Sequence, residues 1–210
     1  MSLDRRTVVD AALALLNEVG LDGLSLRRLA ADLGVQAPAI YRHFAGKADL
    51  LHAMADAMFD AEMAVLDRPA PAADWADWLI ARSRAVRRVM LSYRDGGRLR
   101  EHMHSPAEHW PGLELLLQMM EETGFTVEQA MSAISALGYH ILGSVIAEQE
   151  AQRWDDQLSS ADADIDPRRF PRLASAAAMR AKGRDFEREF EYGLEVFIAG
   201  LRSTLRRPSR

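Results

Sequence analysis

Cationic and aromatic side chains of the kind that grip phosphate and read base edges crowd into one stretch, LSLRRLAADLGVQAPAIYRHFAGK at residues 24–47. Between Leu21 and Lys47 the cations Arg27, Arg28, Arg42 and Lys47 outnumber Asp22 and Asp32. The whole chain carries a formal charge of -5 and an isoelectric point near 5.7, which taken alone argues against a nucleic-acid partner. Distribution outweighs that sum. A local positive face on an acidic body still attracts phosphate, although it binds non-specific DNA weakly at physiological salt. A second group, His102, His104 and His109, invites a metal ion. Residues at i and i+2 share a face on an extended chain and not on a helix, so His-x-His could ligate Zn²⁺ there. Glu101 and Glu108 are near, but no cysteine or carboxylate at fixed spacing completes a set. A polar pocket rim or solvated loop explains these histidines as well, and no metal or other cofactor is expected. No nucleophile–base–orienter set and no phosphate-cradling glycine loop is present, so the chain does not read as an enzyme.

Helices must hold the first group in place. Leu26, Leu29, Ala30 and Leu33 fall at i, i+3, i+4 and i+7, the spacing of an apolar helix face. Ser25 stands where a hydroxyl caps that helix, and Gly34 where a left-handed residue ends it. Pro38 lies near the start of a second short helix, where its missing N–H is not needed. There Val35, Ile40 and Phe44 turn inward, leaving Ala37, Pro38, Tyr41 and Arg42 outward. Two short helices across a glycine turn make a helix-turn-helix, whose second helix enters the DNA major groove. A preceding helix from about Asp4 to Val19, stopped by Gly20, braces the pair through Val8, Ala12, Leu15, Leu16 and Val19.

The remaining chain reads as further helices, so the fold class is all-α with about ten of them. One opens at Gly46–Lys47 with Asp49 in its first turn and runs to about Leu66; Pro69 and Pro71 mark the loop beyond it. Asp74 caps the next, which Arg94-Asp95-Gly96-Gly97 breaks. Ser105, Pro106 and Glu108 form a capping box for a helix reaching Gly124, and Thr126 with Gln129 forms another. The helix from about Val127 to Trp154 has an apolar stripe (Val127, Met131, Ile134, Leu137, Ile141, Val145) and a face of small residues (Ala133, Ala136, His140, Gly143, Ser144, Ala147). Such a helix is buried between two partners. Residues 155–166 read as a mobile polar loop, Asp166-Pro167 as the start of a helix ending near Gly183, and Arg184 to Leu205 as the last helix. The expected division is a reading head at 1–46, a linking helix at 47–66 and a larger domain at 67–210. At 210 residues, 49% hydrophobic and 27% charged, the chain suits one compact protein. Absent cysteines, an absent leader and the expectation of no apolar run of about eighteen residues point to the cytoplasm and to no membrane partner.

Residues 23–51, GLSLRRLAADLGVQAPAIYRHFAGKADLL, resemble the DNA-reading module of the TetR family: glycine, hydroxyl and arginine at the start of the second helix, L-G-V in the turn, and Y-x-H-F ahead of a lysine. The stretches MLSYRDGGR, ETGFTVEQAMSAISALGYHILGSVIAEQE and FEYGLEVFIAGL extend the resemblance over nearly the whole chain and narrow it to the tetracycline-repressor branch. The resemblance implies a repressor that binds a palindromic double-stranded operator and is released by a small-molecule effector. It implies that Arg27 reaches a guanine edge, that Ala37, Pro38 and Ala39 pack on bases, and that Ser25, Tyr41, His43 and Lys47 hold phosphates. Leu26 and Arg42 complete the DNA-facing set. It implies a homodimer clamped by a four-helix bundle of the long and last helices, through Ala136, His140, Gly143, Ala147, Leu194, Phe197, Ile198 and Leu201. For the effector it points to Met63, Arg82, Val86, Arg100, His104, Leu113, Leu116, Leu117, Met131 and Ile134.

Departures from the branch concern the ligands on both sides. Ala37, Ala39 and Arg42 stand where the family has polar or aromatic readers, so a different operator is expected. Met63, Arg82, Val86 and Ala147 stand where the branch has a histidine, an asparagine, a phenylalanine and a glutamate for drug and magnesium, and Arg100 aligns near its metal-binding histidine. A cation does not ligate Mg²⁺, which argues against magnesium-tetracycline and for a small hydrophobic or anionic effector. Arg82 and Arg100 read either as anchors for an anion or as halves of internal ion pairs. A DNA-binding regulator with no effector is the competing reading, which a solid core in the larger domain would favour.

Overall fold

The computed structural model describes residues 3–66, 74–102, 110–154, 165–180 and 183–205, with the side chains of 60–66 and 154 left aside. Ten helices and no strand occur among the described residues: α1 (Arg5–Gly23), α2 (Leu26–Asp32), α3 (Ala37–Tyr41), α4 (Lys47–Leu66), α5 (Trp75–Leu91), α6 (Gly96–Arg100), α7 (Trp110–Glu122), α8 (Val127–Trp154), α9 (Pro171–Arg180) and α10 (Phe186–Leu205). Asp4 opens α1 by accepting the Thr7 N–H at 2.7 Å. Its regular part stops at Gly20, whose φ of 69° is left-handed and suits glycine. The expected capping box before α8 forms in both directions. The Thr126 N–H donates to Gln129 Oε1 at 2.9 Å, and the Gln129 N–H to Thr126 Oγ1 at 3.2 Å.

Helix α1 packs on α4 and on α2, α2 pairs with α3, and α4 continues into the larger domain, where it meets α5 and α6. There α8 lies between α5, α7 and α10. Three details depart from the sequence reading. The residues after Asp95, expected as a polar segment, form α6. Helix α9 starts at Pro171 and not at Pro167, because residues 166–170 close a turn in which Asp166 Oδ1 accepts the Arg168 N–H at 2.9 Å. On α8 the buried line is Ala130, Ala133, Leu137, Ile141 and Val145, while Val127 and Met131 remain 47% and 38% exposed. The expected stripe therefore holds at Leu137, Ile141 and Val145, while in the first turns Ala130 and Ala133 take the core and Met131 and Ile134 face a cavity. By length and a mean hydropathy of 1.5, residues Val127–Arg153 could cross a membrane, although polar residues interrupt them. Packing against α5, α7 and α10 buries one side of this helix. The Ser105 capping box, His104, His109, the side chain of Met63 and the 155–164 segment lie outside the described residues.

Candidate DNA interface and effector cavity

The reading head is built on Leu16, Leu29, Ile40, Phe44 and Leu50, all essentially removed from solvent, each contributing about 1.5–3 kcal/mol of burial. Ser25 Oγ accepts the Arg28 N–H at 3.2 Å and so fixes the start of α2, leaving its O–H proton for another acceptor. The turn closes with the Val35 N–H donating to the Ala30 carbonyl at 2.9 Å while Gly34 takes φ 66°. Across the corner, Arg5 donates to the His43 carbonyl at 2.5 Å and to Asp49 Oδ1 at 2.9 Å, with its guanidinium 4.2 Å from the Phe44 ring. Asp49 Oδ2 also accepts the Ala45 N–H at 2.9 Å. The Arg5 hydrogen bond first, and then the Ala45 N–H, hold the Asp49 carboxyl below the usual carboxylate range.

On that frame Ser25, Arg27, Pro38, Tyr41, Arg42 and Lys47 are exposed, and Ala37, Ala39 and His43 are half-buried. Leu26 does not belong with them. It is 7% exposed, because the helical spacing puts it on the core side with Leu29 and Ala30. Lys47 Nζ donates to the Leu21 carbonyl at 3.2 Å, so its head is partly engaged within the chain. One exposed polar group escaped the sequence reading. Gln36 is the N-cap of α3 but makes no capping hydrogen bond, so its amide stands at the tip of the second helix. A polar amide two residues before Pro38 was the available signal.

In the larger domain a cavity of about 560 Å³ opens between α5, α6, α7 and α8. Six of the expected effector residues line it: Arg82, Val86, Arg100, Leu116, Met131 and Ile134. Leu113 and Leu117 do not. Helix α7 turns Leu116 and Met120 fully inward, which leaves those two half-buried on a neighbouring face. Leu79, Met90, Leu137 and Ile141 supply further apolar wall. The Arg82 guanidinium lies 5.6 Å from the Trp78 ring, and that of Arg100 lies 5.7 Å from Phe59. Burial pushes the Arg100 pKa down, opposed by the charge of Asp56. A buried arginine–glutamate network does exist, at Arg87, which donates to Glu148 at 2.5 Å and to Glu187 and lies 4.9 Å from the Phe190 ring. His102 sits in a helical turn, its N–H donating to Leu99 at 3.0 Å, so the extended geometry that His-x-His ligation needs is lacking on its side. No group of three or more potential metal ligands occurs among the described residues.

The segment around α6 links the two parts, a role the sequence reading did not give it. The Arg94 N–H donates to Asn17 at 2.9 Å and the Arg94 guanidinium to the Glu18 carbonyl at 2.8 Å. Asp95 Oδ2 accepts the Leu21 N–H at 2.7 Å, and Arg98 forks onto Asp22 at 2.8 and 3.0 Å. Asp95 takes φ 62°, pairs with Arg153 of α8, and is followed by Gly96, where any Cβ would strike the Met90 carbonyl. The Arg98 hydrogen bond lowers the Asp22 pKa and raises that of its partner.

Helices α8 and α10 also carry an outward surface. Tyr139, Tyr192 and Val196 are 75%, 69% and 54% exposed, with Ala136 and Gly143 exposed on α8. Leu194 and Ile198, expected at the dimer face, are buried at 1% and 5%, because they seal α10 onto α8 within the protomer. Phe197 and Leu201 are half-buried. His140 likewise works inside the chain: its ring stacks on Phe190 at 5.4 Å, with Nε2 3.2 Å from the Phe190 carbonyl. Gly193 leaves room for that ring. Ala147 lines a smaller space beside His140 and Phe190 and stands away from the large cavity.

Residues 8–54 match the family described as bacterial regulatory proteins, tetR family, and residues 68–205 match the tetracyclin repressor-like C-terminal domain. The class A tetracycline repressor from transposon 1721 of Escherichia coli is 36% identical over 199 residues, which cover 95% of this chain and 90% of that protein. A possible TetR family regulator from Streptomyces coelicolor A3(2) superposes with a TM-score of 0.83 at 33% identity, covering 96% of this chain and all of that one. The Streptomyces coelicolor TetR family protein ActR in complex with (S)-DNPA does so with a TM-score of 0.80 at 28% identity, covering 97% and 100%. The chain belongs to the TetR family of bacterial transcriptional repressors, in which a helix-turn-helix head is joined to a ligand-binding C-terminal domain.

Proposed function

We propose that this chain acts as a homodimer whose two α3 tips read a palindromic operator, and that a small hydrophobic or anionic effector in the cavity releases it. Residues 1–46 are the head, 47–66 the link and 67–210 the effector and dimerisation domain. Arg27 is the base-reading fork, worth about 1–3 kcal/mol of discrimination against a wrong base pair. Pro38 and the half-buried Ala37 and Ala39 lie against bases, while Ser25, Tyr41, Arg42, His43 and Lys47 set register on phosphates. The chain works by binding and not by catalysis, on DNA in the cytoplasm.

Effector in the cavity presses on α6, which packs on α4, and α4 runs from the larger domain into the head. Both tips must reach successive major grooves about 34 Å apart, so a small tilt of α4 weakens binding. A coupling of about 1–3 kcal/mol per site changes occupancy by one to two decades. The observation that carries this reading is the cavity of about 560 Å³, within the size range of small-molecule sites; a regulator without an effector has no use for it. Magnesium-tetracycline does not suit the lining, since the Arg100 guanidinium cannot ligate a cation and Val86 offers no aromatic wall. Fluorescence anisotropy on a footprinted operator, with and without a panel of flat aromatic compounds, tests the switch. Loss of DNA binding with a compound is expected, and unchanged affinity at saturation would overturn it. Isothermal titration with magnesium-tetracycline should show no binding; micromolar affinity would reverse that exclusion.

A further inference from the structure

Arg100 closes one end of the cavity, and among the described residues its guanidinium makes no hydrogen bond and no ion pair. What it has is the face of Phe59 at 5.7 Å and the more distant charge of Asp56, with apolar neighbours such as Val86, Met90 and Leu116 around the same space. Burying an ionised group without hydrogen-bonded compensation is costly, and arginine cannot shed its proton to avoid the cost. Arg87, elsewhere in the same domain, shows how this chain treats a buried guanidinium when the role is internal: Glu148 and Glu187 both meet it. Among the described residues no such carboxylate meets Arg100. Ser83, the hydroxyl on the same wall, already donates to the Leu79 carbonyl at 2.6 Å, and Glu101 at the rim is exposed. The cavity therefore combines apolar walls with a fork of N–H donors that lacks an acceptor.

We infer that the effector is a flat apolar molecule bearing one carboxylate or an equally acidic enolate, whose two oxygens accept from Arg100. This rests on the reading of the cavity as the effector site. A planar guanidinium matches a planar oxyanion bidentately, and such charge-assisted bonds are about twice as strong as neutral ones.

Three matched pairs of probes test it by isothermal titration: 2-naphthoate, anthracene-2-carboxylate and anthraquinone-2-carboxylate, each against its neutral primary amide. The amides keep size and shape and remove the charge. The native protein should bind at least one carboxylate about ten- to hundredfold tighter than its amide. Arg100→Gln should erase that preference, and Arg100→Lys should retain part of it, with melting temperatures confirming that both variants fold. A carboxylate and its amide binding alike overturns the anion while leaving the cavity as the effector site. Retention of the full preference by Arg100→Gln moves the anchor elsewhere and also overturns it. Failure of all six probes to bind at millimolar concentration overturns both the anion and the cavity reading.

Discussion

Arg5 and Asp49 fix the geometry of the reading head without facing DNA bases. One guanidinium joins the first turn of α1 to the end of α3 and the start of α4, and the carboxylate it meets also holds the Ala45 N–H. Because the Asp49 pKa is depressed by that hydrogen bonding, its stabilising effect is complete above the unfolded carboxylate value near 4. It is lost as pH falls through the lower folded value. Thermal melting followed between pH 6 and pH 2.5 should therefore show part of the acid destabilisation in the native protein that is absent in Asp49→Asn, and identical pH profiles would remove the carboxylate from this role. Part of this was legible in advance, since an acid in the first turn of a helix suits the macrodipole. Its partner forty-four residues earlier was not, because nothing local in the sequence pairs Arg5 with Asp49. Leu26 is the opposite case: the resemblance set it among DNA contacts, although its own apolar spacing already put it in the core.

At the scale of elements, the helices were readable wherever periodicity and caps agreed, as at Asp74, Thr126 and the glycines after α1 and α2. Where a tertiary contact decides, they were not. Helix α6 is five residues long and depends on Gly96 passing close to the Met90 carbonyl, and in the first turns of α8 it is the neighbouring helices that decide which side is buried. Arg87 shows such a contact in energetic form, since it ties α5 to α8 through Glu148 and to α10 through Glu187. Arg87→Met leaves the half-buried Glu148 without its cation, which in a buried pair costs about 3–5 kcal/mol, reduced here by the solvent that Glu148 retains. Replacing both, with Glu148→Leu added, should recover much of that loss, as read by urea denaturation. A double variant no more stable than Arg87→Met would show that the loss is one of packing around Phe190 and not of charge.

The whole molecule has to convert events in one cavity into the spacing of two DNA-reading tips, and both its pairing and its internal linkage bear on this. Gly138, Gly143 and Gly200 have open space where a Cβ would stand, so nothing within the protomer requires glycine there, although mid-helix glycine costs up to about 1 kcal/mol against alanine. In the proposed homodimer, close approach of a second copy over the exposed Tyr139, Tyr192 and Val196 would supply the reason. Tyr192→Glu with Val196→Glu should give a monomer by sedimentation and abolish operator binding; a variant that stays dimeric would move the interface off this surface.

Within each protomer, two elements lie between cavity and head: α4, which is continuous and carries Phe59 beside Arg100, and α6, which is short and tied to α1 from its N-terminal side. Arg100 at its C-terminal end lines the cavity, whereas Arg94, Asp95 and Arg98 at its other end grip Asn17, Glu18, Leu21 and Asp22 of α1. On the proposed reading, a ligand that pulls on Arg100 moves the seat of α1 directly, without first bending α4. Arg94→Ala combined with Arg98→Ala cuts two of these side-chain grips while leaving the Asp95 turn and the cavity lining in place. Exposed pairs of this kind are worth about 0.2–1 kcal/mol each, so the ratio of operator affinities without and with a bound aromatic carboxylate should shrink by about two- to tenfold. Linkage requires the same shrinkage in the effect of operator on carboxylate affinity, which gives an independent measurement of one quantity. If the ratio stays at its native value in both directions, α4 alone carries the signal and the α6 contacts only hold the head in place.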